Sequence, residues 1–399
     1  MKILVYCQHV LGVGHFFRTL EIIKALKRHD VILVTGGDRV NVTLPNHVRQ
    51  IELPGLMMDA NFSNLSTIDP EKTIEDVKFE RQKVLLDIII AENPDLFLIE
   101  LFPFGRKAFG FELIPMLEYI KEKTLINCKV VCSLRDILVD KKNQKKHENR
   151  VINALNTWFD AVLVHSDPNL IKLDSTFSQI DRIKIPIVYT GFVTPLPDAK
   201  KVEQISAEIR SDGNKYLVIA SAGGGNVGAP LLKAVVQAFK TQSLKNIARL
   251  HLFTGPYMDE KDKQYLHGCA DSQIMVKEFA DDFVSLLAAS DLSVSMAGYN
   301  TCMNIVAAKI PCLVWPFSQN REQIQRARKI AKFIPLAILE DKDLAPSTLS
   351  QLIIKTLEAQ SKKDICKAFE IKDVKFNIKD VKLNINGALN TCNWIGENL

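Results

Sequence analysis

Between Ser290 and Lys329 the chain carries one unit twice in succession: a short strand, a turn of small residues, then a helix. This repetition restricts the fold more than any other feature of the sequence. Asp291 to Met296 alternates and is rich in Ser and Val, Ala297-Gly298 breaks the alternation, and Thr301 to Lys309 reads as a helix packed behind the turn. Next comes the apolar run Pro311-Cys-Leu-Val-Trp315, stopped by Pro316, with polar Gln319 to Gln323 opening another helix. A strand that reaches the next strand through a helical crossover pairs with it in parallel. Ligands of such sheets bind beyond the carboxyl ends of the strands, where helix N-termini offer free N–H groups and partial positive charge. Two consecutive strand ends at one edge therefore suit an anionic, hydroxyl-rich molecule.

The same alternation runs through the whole chain. In the first half strands are expected at 2–7, 30–35, 95–99, 129–133 and 161–165, with helices at 15–27, 71–92, 111–123 and 145–156. In the second half they are expected at 216–221, 250–254, 273–277, 292–295 and 312–315, again with helices between. A chain of 399 residues exceeds what one hydrophobic core usually serves, so two domains are expected. Thr190 to Lys201, with Gly191, Pro195 and Pro197, separates the two series and is the expected linker. Near the C-terminus Ile371–Asn377 is repeated as Ile378–Asn384, a duplication too short for a solenoid and read as a solvated connection and helix.

Composition bounds the partners. With 47% hydrophobic and 24% charged residues, each half can bury a core. The net charge of +5 is modest and its lysines are scattered, which gives no reason to expect nucleic acid as a partner. The five-residue apolar run after Lys2 is too short for a signal-peptide core, and no segment approaches the ~20 apolar residues of a membrane span. A soluble, cytoplasmic protein is expected. The eight cysteines lack C-x-x-C spacing and are expected as buried free thiols.

Three loops carry chemistry. The first, Val10-Leu-Gly-Val-Gly-His-Phe-Phe-Arg18, joins the first strand to the first helix, where Gly12 and Gly14 allow a tight turn and close approach to a ligand. Phe17 stands where a dinucleotide fingerprint would have its third Gly. His15, at the helix start, can take a proton near neutral pH, and Arg18, three residues on, can hold an acid or phosphate; a capping or packing histidine and a solvated arginine are the plainer readings. The second loop, Ser221-Ala-Gly-Gly-Gly-Asn226 through Gly228 and Pro230, fits backbone amides wrapping a diphosphate, with Ser221, Gly223, Gly224, Gly225 and Asn226 as its donors. No Lys-Ser/Thr follows the glycines, so it is not a Walker loop. The third is the repeated unit, with Gly298, Tyr299, Asn300 and Thr301 at one turn and Glu322 and Gln323 at the next. Upstream, Val276 to Asp282 is a strand end and loop able to close over a nucleobase, or equally a helix cap at Asp281. The one D-x-D, Asp341-Lys-Asp343, lies outside these loops, and neither metal nor cofactor is expected.

In this order, the G-x-G-H loop, the glycine-rich loop opening the second half, E-F, A-S-D, A-G-x-N-T and P-F…N-R-E-Q resemble a GT-B glycosyltransferase. The likeness is greatest to the family of the N-acetylglucosaminyl transferase that makes the lipid-linked peptidoglycan precursor, in a branch with G-x-G-H-x-x-R. The resemblance implies an α/β fold of two Rossmann-like domains whose parallel sheets face across a cleft. Residues 1–190 would take the acceptor, with a helix at about 385–399 packing back onto them, and 191–384 would hold the donor. It places Phe279 near a uracil, Gly298 to Thr301 near the diphosphate, and Glu322-Gln323 near the donor sugar. Asn304 stands where relatives carry a Glu that grips the ribose hydroxyls, and Glu322 replaces one of two expected glutamines.

The implied reaction is inverting, metal-independent transfer from a nucleoside-diphosphate sugar, UDP-linked, to an acceptor hydroxyl on a lipid-linked or small molecule. Candidate bases are His15, then Asp136 in Ser133-Leu-Arg-Asp136, then Glu100 at another strand end. The run Lys141-Lys142-Asn-Gln-Lys145-Lys146 could hold the protein to an anionic membrane surface, or be a solvated loop. Alternatives are a nucleotide-sugar hydrolase in which His15 activates water, a non-catalytic nucleotide-sugar-binding protein, and a Rossmann oxidoreductase.

Overall fold

The structure is a computed structural model and describes residues 1–9, 13–37, 40, 42–58, 65–123, 127–139, 141–211, 216–245, 247–319, 321–359 and 383–399. Gly12, Asn320 and most of the 371–384 duplication lie outside them. The chain divides into two compact units, Met1–Val193 with Asn384–Leu399, and Thr194–Leu383.

The first unit contains β1 (Lys2–Tyr6), α1 (Gly14–Ala25), β2 (Asp30–Thr35), β3 (Val48–Glu52), β4 (Leu56–Met58), β5 (Leu65–Thr67), α2 (Ile74–Glu92), β6 (Leu96–Glu100), α3 (Gly110–Lys123), β7 (Lys129–Arg135), α4 (Gln144–Trp158), β8 (Ala161–His165) and β9 (Ile187–Tyr189). Its parallel sheet has the order β3-β2-β1-β6-β7-β8-β9, with β4 and β5 forming a separate antiparallel pair. The apolar strands are covered on both faces, as a parallel sheet requires. Leu4, Tyr6, Phe97, Ile99 and Val130 pack with α2, α3 and α4, while Ile3, Val5, Leu96, Leu98 and Val131 pack with Phe16, Leu20 and Ile23 of α1. Period-two alternation along β6 then assigns Glu100 to the face that α1 covers. A buried ion pair ties the first face together. Arg81 of α2 donates from Nε to Glu112 Oε2 (2.8 Å) and from Nη2 to Oε1 (2.6 Å), and the Tyr6 hydroxyl donates to the same carboxylate.

The second unit contains α5 (Ala199–Ser211), β10 (Tyr216–Ser221), α6 (Ala229–Phe239), β11 (Ala248–Phe253), α7 (Glu260–His267), β12 (Ile274–Lys277), α8 (Phe283–Ala288), β13 (Leu292–Ser295), α9 (Tyr299–Ala308), β14 (Cys312–Val314), α10 (Arg321–Ile330), β15 (Leu336–Ile338) and α11 (Pro346–Leu357). Its parallel sheet runs β12-β11-β10-β13-β14-β15. The helix α12 (Gly387–Asn398) belongs to the first unit, where it packs on α1 with Ile395 buried, and Phe192 N donates to Asn384 O (2.7 Å). The cap of α8 is Asp282, whose side chain accepts from Ser285 N (3.1 Å). The alternative of a cap at Asp281 is thereby corrected by one residue, because it is the Asp282 carboxylate that reaches Ser285 N. No helix among the described residues is long and apolar enough to cross a membrane.

Candidate functional site

In each sheet the strand order reverses once, between β1 and β6 in the first unit and between β10 and β13 in the second. At such a point the flanking loops leave in opposite directions and open a crevice beyond the strand ends. The candidate residues gather there in both units.

In the first unit, α1 follows β1 and starts at Gly14, and β6 ends on Glu100. His15, in the first turn of α1, and Arg18, one turn on, both reach that carboxylate: His15 Nδ1 lies 2.7 Å from Glu100 Oε1, and Arg18 Nη2 donates to the same oxygen. The Glu100 side chain is 1% exposed and that of His15 is 19% exposed. Burial alone would raise the Glu100 carboxyl, but His15, Arg18 and Arg106 outweigh it and bring it down to about 2. With the carboxylate ionised, the Nδ1 proton of His15 is donated to it, which fixes the tautomer and leaves Nε2 as an acceptor. Burial lowers the imidazole to about 4 against the pull of Glu100, with Arg106 and Arg18 adding to the lowering. His15 is therefore neutral at pH 7, and its Nε2 makes no hydrogen bond among the described residues. Asp136 is fully buried just beyond β7 and accepts from Ile137 N (2.8 Å). On the same face, Ser133 Oγ, His165 and Thr190 Oγ1 form a buried chain with contacts of 2.8 Å at both ring nitrogens. A hollow of about 490 Å³ lined by Lys27, Arg28, His29, His47 and Arg49 lies at the opposite, N-terminal ends of β2 and β3 and contains none of the candidates.

In the second unit the glycine loop bends back on itself because Gly223 and Gly225 adopt φ of 65° and 99°. Ser221 Oγ accepts from Gly223 N (3.1 Å), and Tyr257 N donates to Gly224 O (2.9 Å), which pins the loop against the end of β11. Asn226 sits in the same turn, with its Oδ1 3.7 Å from where a Cβ on Gly224 would be. Thr301 Oγ1, in the first turn of α9, lies 3.5 Å from the Cβ position of Gly223 and 3.9 Å from that of Gly298, so the two loops meet at this hydroxyl. Gly298 caps α9 without a side-chain hydrogen bond, as a residue with no side chain must. Tyr299 is buried, under the guanidinium of the fully buried Arg326 at 5.7 Å, and Arg326 Nη1 donates to Ala297 O (3.1 Å). Asn300 lies beside it in the same turn. One turn further, Thr194 Oγ1 donates to Asn304 Oδ1 (2.9 Å), which leaves the amide NH₂ of Asn304 as the group to offer. In α10, Gln323 Oε1 accepts from Phe317 N (3.0 Å), while Glu322 is partly exposed in the first turn. Phe279, past β12, is half-exposed. Asp341 and Asp343 are spent locally, accepting from Trp315 Nε1 (2.9 Å) and Glu340 N (2.8 Å).

Sequence reasoning missed Thr194, Arg326 and Arg106. Only Arg106 carried a signal, as a cation six residues beyond a strand-end carboxylate in the run Phe102-Pro-Phe-Gly-Arg106.

Residues 219–378 match the model of the glycosyltransferase family 28 C-terminal domain. The chain is 25% identical over 152 residues to the UDP-N-acetylglucosamine–N-acetylmuramyl-(pentapeptide) pyrophosphoryl-undecaprenol N-acetylglucosamine transferase of Carboxydothermus hydrogenoformans, covering 38% of this chain and 41% of that one. To the transferase of the same name from Pectobacterium carotovorum it is 22% identical over 207 residues, covering 52% and 53%. The chain thus spans about half or less of the length of these curated relatives. Among solved structures it is similar to Acinetobacter baumannii MurG (TM-score 0.55, 14% identity, 100% of each chain). It is also similar to Phytolacca americana UGT2 complexed with UDP-2-fluoro-glucose and pterostilbene (TM-score 0.62, 11% identity, 99% of each chain). The chain is an α/β protein of the GT-B fold whose residues 219–378 match a glycosyltransferase family 28 C-terminal domain.

Proposed function

We propose that this protein is an inverting glycosyltransferase that moves a sugar from a UDP-linked donor to an acceptor hydroxyl without a metal. The observation that carries this reading is the His15–Glu100 pair: a neutral imidazole, its Nδ1–H held by a buried carboxylate, with Nε2 making no hydrogen bond among the described residues. Such a pair is arranged to accept a proton. His15 Nε2 takes the hydroxyl proton as the acceptor oxygen bonds to the anomeric carbon, and the bond from that carbon to the diphosphate oxygen breaks with its electron pair leaving on the nucleotide. A single displacement inverts the anomeric centre. The negative charge that grows on the diphosphate is met by the amides of Gly224 and Gly225 and by the N-terminus of α9, fixed dipoles that need no reorganisation during the step. Phe279 offers a ring face to the base, Asn304 an NH₂ to the ribose, and Glu322 and Gln323 their polar ends to the sugar. The names of the relatives support UDP as the nucleotide and a lipid-linked acceptor, and at a membrane surface Lys141, Lys142, Lys145 and Lys146 would meet anionic headgroups.

An Nε2 so placed serves water as well as a sugar hydroxyl, so hydrolysis is the second reading. Incubation with a panel of UDP-sugars, with and without cell-envelope acceptors, separates the two. Transfer predicts slow sugar release alone and fast turnover with acceptor; rapid release without acceptor would replace it by hydrolysis. His15→Ala should lower turnover by roughly 10²–10⁴-fold while calorimetric UDP affinity stays unchanged. Full turnover in that variant removes His15 as the base.

A further inference from the structure

The hollow of about 490 Å³ at the N-terminal ends of β2 and β3 is a concave place at the opposite ends of the strands from His15. Two connections build it: Lys27 to His29, between α1 and β2, and Asn46 to His47, before β3. Parallel pairing of β2 with β3 sets them side by side, and Val31 N donates to His47 O (3.1 Å). Lys27 and Arg28 are exposed and make no hydrogen bond or ion pair among the described residues. Arg49 is exposed too, but it shares Glu92 with Lys2, and Asp30 is the one carboxylate in the lining. The end of a helix repels anions through its last carbonyls. Here Ile23 O, in the last turn of α1, already accepts from Leu26 N (2.9 Å) and His47 Nε2 (3.0 Å). A carbonyl only accepts, so His47 Nε2 carries a proton, and Nδ1 is the nitrogen that gains one when the ring charges. His29 Nδ1 is buried and makes no hydrogen bond among the described residues. A volume of this size takes a small molecule rather than a single ion. Val48 is the only apolar residue in the lining, so the body of that molecule is polar as well.

We propose that this hollow is an anion site for a phosphate monoester or diphosphate group on a polar molecule, held by Lys27 and Arg28, with His29 and His47 as further donors when protonated. The guanidinium fork suits two oxygens of one phosphate, and the flexible ammonium follows a third. The site does not rest on the transferase reading, whose residues lie at the other ends of the strands. The same phosphate chemistry is offered by a soluble compound and by a phosphatidic acid headgroup.

The test titrates the full chain with inorganic phosphate and with pyrophosphate in ~0.15 M chloride, where weak surface attraction is screened, and follows the ring signals of His29 and His47 by NMR. Expected are saturable shifts and a rise in the pH at which His29 titrates. Burial, the N-terminal amine and His47 hold that ring below 6.5 in the free protein, and a bound anion favours its charged form. Lys27→Gln or Arg28→Gln alone should weaken binding about two- to fivefold, and the two together about tenfold. If these cations serve only the end of α1, the double variant melts at a lower temperature and keeps the same phosphate affinity. That result, or shifts that never saturate, overturns the proposal. Should the double variant fail to fold, the single variants decide: weaker binding supports the site, and unchanged binding in both overturns it. Cosedimentation with phosphatidylcholine vesicles, with and without phosphatidic acid, then tells the two sources apart. Capture that needs phosphatidic acid together with Lys27 and Arg28 assigns a headgroup, and saturable phosphate binding without such capture assigns a soluble compound.

Discussion

His15 is held between opposing influences whose sum can be read as a function of pH. Unfolded, the imidazole titrates near 6.5, and folded it does so near 4. Between those values the unfolded chain binds the extra proton, so stability falls as pH drops from 6.5 to 4, and above 6.5 the contribution is constant. Glu100 adds to this further down: its carboxyl moves from 4.5 to about 2, so its contribution is present above 4.5 and is lost as pH falls through 2. Calorimetric scans should therefore show the first unit melting at steadily lower temperature from pH 6.5 downward. His15→Asn, which keeps an N–H for Glu100 but does not titrate, should flatten the part between 6.5 and 4. The same shift places the acid limb of the rate profile near pH 4 rather than 6.5, and a limb at 6.5 would show that Glu100 and burial do not set this base. His15 was legible in the sequence because a G-x-G-H follows the first strand. Its partner was named only as a rival base, since nothing local says that residue 100 faces residue 15.

At the level of elements, the glycine loop is where chain geometry and binding coincide. A Cβ on Gly225 would stand 2.7 Å from both Thr254 O and Met258 N at a φ of 99°, while one on Gly224 would meet nothing nearer than Asn226 Oδ1 at 3.7 Å. Gly225→Ala should thus destabilise the second unit by ~1–3 kcal/mol and weaken UDP binding, while Gly224→Ala should leave the melting temperature in place. Thermal scans with and without UDP test both, and equal melting temperatures for the two variants would show that the loop is not held as described. The strands that sequence reasoning missed include β3, β9 and β15, and each is an edge of its sheet. An edge strand is covered on fewer sides, so it does not need the continuous apolar run by which β1, β6 or β10 announce themselves. Val48-Arg-Gln-Ile-Glu52 and Ile187-Val-Tyr189 are short, partly polar or partly exposed, and only their neighbours make them strands.

For the whole molecule, the notable departure from chain order is that the first unit closes with the last residues. Val193 bridges to Asn386, Asp167 accepts from Asn384 N (2.8 Å), Asn390 Nδ2 donates to Thr190 O (2.7 Å), and α12 covers part of α1. Truncation after Leu383 should therefore destabilise the first unit, nearly 200 residues away in sequence, and leave the second melting as before. Two calorimetric transitions, of which only one moves, would bear this out, whereas two unmoved transitions would make α12 dispensable. Strand–helix rhythm, the glycine turns and the histidine after them were determined by the sequence alone, because periodicity and backbone freedom are local properties. Only the tertiary structure decided that strand order reverses beside β1 and β10 and that Glu100 fixes the tautomer of His15. Those facts depend on which distant side chains share a buried space, and there the energy of a charge is set by its neighbours rather than by its place in the chain.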